Sequence, residues 1–260
     1  MMSTTISSIT RQGAYEPFEL QVARGQIQGH RSVVVFGFNP DVDTSQVSVW
    51  PLPSLITFPA AALQMTVSSS NANDTALGTG ARTVVVQGLD ANYNEVSETV
   101  TLNGQTAVTM TASLLRVNYA YVLTAGSGNG AAGDIYIGTG VVTAGVPATT
   151  YDVIKFDYST TITGSWTVPA GYTAYVSQGL FSSGQAGGSN QVQGRLLTRG
   201  TDNIRRTAAV TSINNGVADY VFEYPIVIQE KTTIEATAIG SSNNNAVSSM
   251  FILVLVKEGP

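Results

Sequence analysis

The 260-residue chain contains no cysteine and a single histidine, His30. Without cysteine it cannot form a disulfide, a thiolate metal site or a thiol nucleophile. One histidine leaves little for acid–base or metal chemistry, and no G-x-S-x-G motif marks a serine nucleophile. We therefore expect a protein that is not an enzyme and that has no catalytic, metal or cofactor site.

Charge is also scarce, since only 11% of the residues are charged and the net charge is −5. A nucleic-acid binder needs a clustered basic surface, so we expect no direct nucleic-acid partner. The longest apolar run, Met250 to Val256, is far shorter than the roughly 20 residues of a membrane helix. Residues 1–10 lack the basic and apolar regions of a signal peptide. We expect folding in a cytoplasm and no membrane partner.

Threonine, valine, glycine and serine are abundant, at 31, 30, 26 and 24 residues. β-branched residues favour strands, and short apolar or alternating segments recur at intervals of about ten residues. Asn103-Gly104 predicts a hairpin turn, and Asn215-Gly216 predicts a second turn. No long segment has the 3.6-residue period of a helix. These patterns predict an all-β fold, with Met250 to Val256 as a buried strand near the middle of a sheet.

The chain divides into an arm and two β-rich blocks. Residues 1–30 are polar with weak periodicity and predict an extended N-terminal arm, in which Thr4–Ile6 and Phe18–Val22 form short strands if paired. Residues 31–147 predict an Ig-like β-sandwich, and residues 148–260 a second, jelly-roll-like sandwich. Gly145 and Pro147, among small residues, mark the boundary.

Two local motifs suggest ligands but have simpler explanations. The G-x-G-x-x-G match at Gly128–Gly133 precedes an apparent strand, whereas a dinucleotide site needs a helix there. Asp41 and Asp43, and separately the loop Asp90–Glu95, place oxygen atoms as calcium loops do, but the remaining EF-hand positions do not match. Turn formation accounts better for both acidic loops, and calcium binding stays open.

Three stretches carry a resemblance to a known group of proteins. Residues 37–45 with Val49-Trp50-Pro51, segments within 66–93, and residues 126–140 resemble structural proteins of tailed bacteriophages, especially marine ones. The resemblance covers about residues 36–147. It implies a virion protein, assembled in the bacterial host cytoplasm, and most readily a decoration or cement protein that clamps major capsid proteins as a homotrimer.

Two alternatives remain open. One is a tail adaptor, hub or fibre-anchoring protein with tail or fibre proteins as partners. The other is a carbohydrate-binding, receptor-recognition module, in which Trp50, Trp166, Tyr172 and Tyr175 would stack on sugars.

We expect the arm and the segment Phe38–Trp50 to contact the shell. An arginine cluster near residue 200 either lies in a solvated loop or pairs with acids of a neighbouring subunit. The candidate interface residues are Phe38, Asp41, Asp43, Trp50, Arg199, Arg205 and Arg206.

Overall fold

The computed structural model describes residues 16–184 and 191–259, so the predicted strand at Thr4–Ile6 lies outside the described residues. Within these ranges the fold is all-β, as predicted. No helix among the described residues is long and apolar enough to cross a membrane. The elements are α1 (Phe18–Ala23), β1 (His30–Val42), β2 (Val47–Ser48), β3 (Leu63–Ser69), β4 (Ala81–Leu89), β5 (Glu95–Thr101), β6 (Val108–Leu114), β7 (Arg116–Ala125), β8 (Ile135–Thr143), β9 (Val146–Ile154), β10 (Ser165–Thr167), β11 (Tyr172–Gly184), β12 (Gln191–Arg199), β13 (Arg205–Asn214), β14 (Gly216–Ile228), β15 (Thr233–Gly240) and β16 (Asn245–Lys257).

Four antiparallel sheets form two sandwiches, each around its own core. Strands β3 to β9 make the inserted sandwich, with sheets ordered β6-β3-β8-β9 and β5-β4-β7. Its core residues all lie between Met65 and Ile154. The remaining strands make the terminal sandwich, with sheets ordered β1-β16-β11-β14 and β10-β15-β12-β13, where β2 also pairs with β15. Inward-facing side chains of both sheets fill each core.

The terminal sandwich draws strands from both ends of the chain. β1 pairs with β16 in a register that places Val35 opposite Phe251, and both side chains are buried. Met250 to Val256 lies in β16, between β1 and β11, as a central strand should. The sequence groups residues 31–50 with the block ending at 147, whereas the structure packs Val42, Val47 and Val49 into the core of the later strands. The sandwich made of β3 to β9 is therefore inserted between β2 and β10.

The two Asn-Gly turns connect sheets instead of closing hairpins. Asn103-Gly104 joins β5 to β6, and Asn215-Gly216 joins β13 to β14, yet each pair divides between the two sheets of its sandwich. The backbone is left-handed at Gly104 and Asn215, with φ of +59° and +41°. The expected hairpin at Asn103-Gly104 was wrong, because β5 pairs with β4 in one sheet and β6 pairs with β3 in the other.

The described end of the arm is helical. Phe18 to Ala23 form α1, where the sequence suggested a short strand. No neighbouring strand is present to pair with it among the described residues, and Pro17 lies directly before the first helical residue, a position that proline tolerates well. Val22 is buried, whereas Phe18 and Leu20 are about half exposed. The ring of Phe18 meets that of His30 edge-on at 6.1 Å, so the single histidine helps to join α1 to β1.

Candidate interaction surface

Two of the seven predicted interface residues are buried and cannot reach a partner. Trp50 is 2% exposed, and its indole Nε1 donates a hydrogen bond to the carbonyl of Ser54 at 2.8 Å. Arg199 is 6% exposed, and its Nη2 donates to Glu235 Oε2 at 2.9 Å. Local sequence does not show that these two side chains are buried, because their burial depends on contacts such as that of Arg199 with the distant Glu235.

The arginine cluster is mainly an internal network. Arg205 donates from Nη2 to the carbonyl of Ile56 at 3.3 Å, and its Nε lies 3.7 Å from Glu235. Arg206 is more exposed and forms an ion pair with Asp202 in the same turn at 2.7 Å. Arg206 is thus the member of this cluster most available to a second molecule.

The segment Phe38–Asp43 contributes contacts within the terminal sandwich and toward the linker that follows β9. Phe38 is half-buried, and its ring lies 6.5 Å from that of Tyr158. Asp41 is exposed, and its backbone N–H donates to Asn39 Oδ1. Asp43 Oδ1 accepts a hydrogen bond from the backbone N–H of Asn244 at 3.0 Å. The two carboxylates therefore have separate surroundings, and no cluster of three metal-ligating side chains occurs among residues 16–184 and 191–259.

A ring held between two guanidinium groups lies where the sandwiches meet. Phe58, from the connector after β2, lies 4.6 Å from Arg116 Cζ of the inserted sandwich and 4.3 Å from Arg199 Cζ of the terminal one. Burial lowers the pKa of both arginines, and Glu235 opposes this effect at Arg199. Guanidinium groups stack well on aromatic faces, so this cluster explains the burial of Arg199 better than a partner would.

Sequence reasoning missed Asp74, a carboxylate that accepts several hydrogen bonds in the inserted sandwich. It is fully buried and accepts hydrogen bonds from Ser69 Oγ and from the backbone N–H groups of Ala81, Ala132 and Gly133, at 2.5 to 3.0 Å. The glycine-rich loop is thus anchored by a side chain, and β8 follows it, as predicted. The available signal was an aspartate in an Asn- and Ser-rich turn, which is common in ordinary loops.

An exposed apolar patch lies at the base of the arm. We define the arm surface as Phe18, Leu20, Val34 and Phe36, whose side chains are 47 to 55% exposed. Val34 and Phe36 alternate with the inward-facing Val33 and Val35 on β1 and so face away from the core. A groove of about 630 Å³ runs between α1 and the outer face of this sheet. Phe18 and Val34 line this groove, whereas Phe36 lines a second groove that also borders Tyr119. Exposed apolar residues gathered around a groove are typical of contact sites.

Comparison with known proteins gives no family. No family model and no curated protein matches the chain. Solved structures with weak similarity include VP2 of infectious bursal disease virus in a subviral particle, at 10% identity, covering 90% of this chain and 73% of that one, with a TM-score of 0.24. VP2 of the Gx strain has 15% identity, coverages of 88% and 71%, and a TM-score of 0.24.

An isomalto-dextranase of Arthrobacter globiformis T6 scores at the same level. It has 13% identity and a TM-score of 0.25, and the match covers 87% of this chain but only 35% of the enzyme. Virus-particle proteins are thus prominent among the neighbours. TM-scores this low, shared by a viral protein and an enzyme, carry no argument about the function of this chain.

Proposed function

We propose that this chain is a non-enzymatic structural protein of a tailed-phage virion that decorates or cements the shell by contacting the major capsid protein. The observation that carries this proposal is the arm surface, an apolar patch at the base of an N-terminal arm. The resemblance of residues 36–147 to phage structural proteins supports the same function, as does the scarcity of residues suited to catalysis.

The arm surface suits a contact that is weak in one copy and strong in an array. Its four apolar side chains present a small area, which by itself would give a modest affinity. Many copies on a regular shell, each held near its site by its neighbours, would raise the effective concentration at every contact. A decoration protein therefore needs only a small patch of this kind.

The sugar-binding alternative has less support from the structure. Trp50 is buried, and the indole Nε1 of Trp166 is buried as well. Tyr172 is covered on one side by Arg31, whose Cζ lies 4.9 Å from the ring centre. The aromatic residues therefore do not form a shared platform on which a sugar ring could stack.

The docking prediction is tested by placing a charge in the arm surface. Leu20→Glu with Phe36→Glu should leave a folded protein whose binding to purified particles lacking this chain falls at least tenfold, because both side chains are half exposed. Leu77→Glu is the matched control, since Leu77 is 92% exposed on the inserted sandwich. Equal binding by both variants would contradict the assignment of the contact to the arm surface.

The number of copies of this chain per virion distinguishes a location on the shell from one in the tail. Quantitative mass spectrometry of purified virions should give a ratio to the major capsid protein near one, or a simple fraction of it. A few copies per virion would instead favour the tail adaptor or fibre-anchoring function. Absence from the particles would overturn the virion proposal as a whole.

A further inference from the structure

One side of the terminal sandwich is open. β13 is an edge strand of one sheet and β14 an edge strand of the other, and the two strands run in opposite directions from the turn at Asn215. Within the described part of the chain, no strand pairs with the outer edge of either. The open side thus offers two rows of backbone donors and acceptors next to each other. Long unpaired edges of this kind favour pairing with another chain.

The open side is also apolar. Seven of the nineteen large hydrophobic side chains that are exposed in the described structure lie between residues 204 and 227. Val217, Val221 and Tyr224 are 66%, 76% and 84% exposed. The others are Ile204, Val210, Tyr220 and Val227. This concentration in a short segment exceeds the scattered exposure that soluble surfaces normally show.

A cavity lies directly behind the two edges. It has a volume of about 250 Å³ and is lined mainly by apolar side chains, among them Phe181, Leu196 and Phe222. Thr211 of β13 and Tyr220 of β14 close its rim with a hydroxyl–hydroxyl hydrogen bond of 2.9 Å. The two sheets therefore do not pack fully at this side, and a partner that covers the rim would complete the core.

The two edges carry opposite charges. β13 begins with Arg205 and Arg206, which also lie close to Glu235 and Asp202 of the same chain, whereas β14 carries Asp219 and Glu223. Pairing β14 with a second β14 places acid near acid, and pairing β13 with a second β13 places arginine near arginine. Pairing β13 with the β14 of another copy brings Arg206 toward Glu223, because both lie well away from the turn at Asn215. Charge complementarity selects this last arrangement.

We propose that the open side is the contact between two copies of this chain, with β13 of each copy antiparallel to β14 of the other. A twofold axis parallel to the strands produces both pairings at once and joins the sheets into two continuous layers. The register shift of β14 opposite Val176–Gln178, together with Pro225, limits the ladder to residues 216–221. Glu223 and Arg206 then meet just beyond the end of this ladder. The contact does not depend on the virion proposal.

This geometry gives a dimer and not the trimer expected from the resemblance. A ring of three needs the two complementary edges on different sides of the molecule. Here β13 and β14 share one side, so a second copy satisfies both edges together. The solution mass should therefore be twice the chain mass of 27.2 kDa. Sedimentation equilibrium that finds a monomer or a trimer at micromolar concentration would overturn the proposal.

Charge reversal tests the pairing. Arg206→Glu and Glu223→Arg should each raise the dissociation constant at least tenfold, and the two changes in one chain should restore it. Leu77→Glu, on the inserted sandwich, is the control and should dimerise as the unmodified chain does. Circular dichroism spectra should show that each variant is folded. If the dissociation constant of the double variant were no lower than those of the single variants, these two edges would not meet in the dimer.

Cysteine cross-linking distinguishes the arrangements, because the natural chain has no cysteine. Ser212→Cys on β13 and Val217→Cys on β14 lie at similar distances from the turn. A mixture of the two variants should form a mixed disulfide under mild oxidation, and neither variant alone should cross-link efficiently. Cross-linking of either variant with itself, in place of the mixed product, would contradict the β13–β14 pairing.

Discussion

At the scale of single residues, Asp152 is a buried carboxyl group that forms no ion pair with any residue of 16–184 or 191–259. It is 2% exposed, and its Oδ1 accepts hydrogen bonds from Thr163 Oγ1 at 2.5 Å and from the backbone N–H of Val153 at 2.8 Å. Burial raises the pKa of Asp152 from 3.8 to about 7, against the smaller opposing effect of these two hydrogen bonds. The folded state therefore holds this proton more tightly than the unfolded chain does.

This pKa has a definite effect on stability. The contribution of Asp152 is fully present below about pH 4 and is lost as the pH rises through about 7, and at about 1.4 kcal/mol per pKa unit it amounts to a few kcal/mol. Asp152→Asn keeps the acceptor oxygen and removes the titration. The unfolding free energy of the variant should thus fall less between pH 5 and pH 8 than that of the natural chain, as measured by urea denaturation.

The exposed Asp157, three residues beyond β9, provides the control for this experiment. Asp157→Asn should leave the pH dependence of the natural chain in place. If Asp152→Asn and the natural chain lose the same free energy between the two pH values, the carboxyl group is not held protonated by its surroundings.

Asp74 accepts hydrogen bonds from Ser69 Oγ and from three backbone N–H groups, so this site fits a carboxylate and not an amide. Asp74→Asn would place an amide NH₂ against buried N–H groups, leaving at least one donor without an acceptor, at a cost on the order of 3 kcal/mol. Faster amide hydrogen exchange at Ala132 and Gly133 should accompany the loss, since both donate to this carboxylate. Asp157→Asn, at an exposed position outside the strands, should change the unfolding free energy little. Unchanged stability of Asp74→Asn would contradict a structural role for the buried carboxylate.

At the scale of elements, the sequence predicts strands well and their partners poorly. The strand predicted at Met250 to Val256 lies within β16. The alternation of apolar and polar residues indicates which residues are extended, and turn-forming residues indicate where the chain reverses. Neither pattern indicates that β1 pairs with a strand more than 200 residues away. The same limit explains the wrong hairpin at Asn103-Gly104.

The arm surface shows the same limit for the candidate site. Val33 to Phe36 are all apolar, so no polar alternation shows which two of them face outward. The sequence directs attention to the arm, residues 1–30, and to Phe38–Trp50. The exposed Phe18 and Leu20 lie in that arm, whereas the exposed Val34 and Phe36 lie between the two predicted segments. The arginine cluster was equally ambiguous, because a buried ion pair and an exposed one can have the same local sequence. Arg199 is buried with Glu235, a partner that is distant in the sequence.

At the scale of the whole molecule, the inserted sandwich is a complete unit held by a polar junction. Asn118 donates to the carbonyl of Thr167 and accepts from its N–H, at 2.9 and 3.0 Å. Arg31 forms an ion pair with Glu95 across the same junction at 2.5 Å. Contacts of this kind orient one unit on another, whereas the apolar cores supply the stability of each unit.

Separate cores imply that the inserted sandwich can fold without the rest. Every core residue of this sandwich lies between Met65 and Ile154, and the segment that follows adds bridges from Thr160 and Thr161 to β7 and β9. A fragment of residues 60–163 should therefore give a dispersed amide NMR spectrum and a cooperative thermal transition. It contains neither tryptophan, so fluorescence of Trp50 and Trp166 cannot report on it.

The matched fragment follows the domain limits that the sequence suggests, residues 31–147. It contains β1 without β16 and β2 without β15, and it lacks most of β9, including Ile154. Exposed β1 edges and an incomplete core should make it aggregate or remain largely unfolded. If 31–147 folded and 60–163 did not, β1 would be needed by the inserted sandwich, and the division of the chain into one sandwich inserted within another would have to be abandoned.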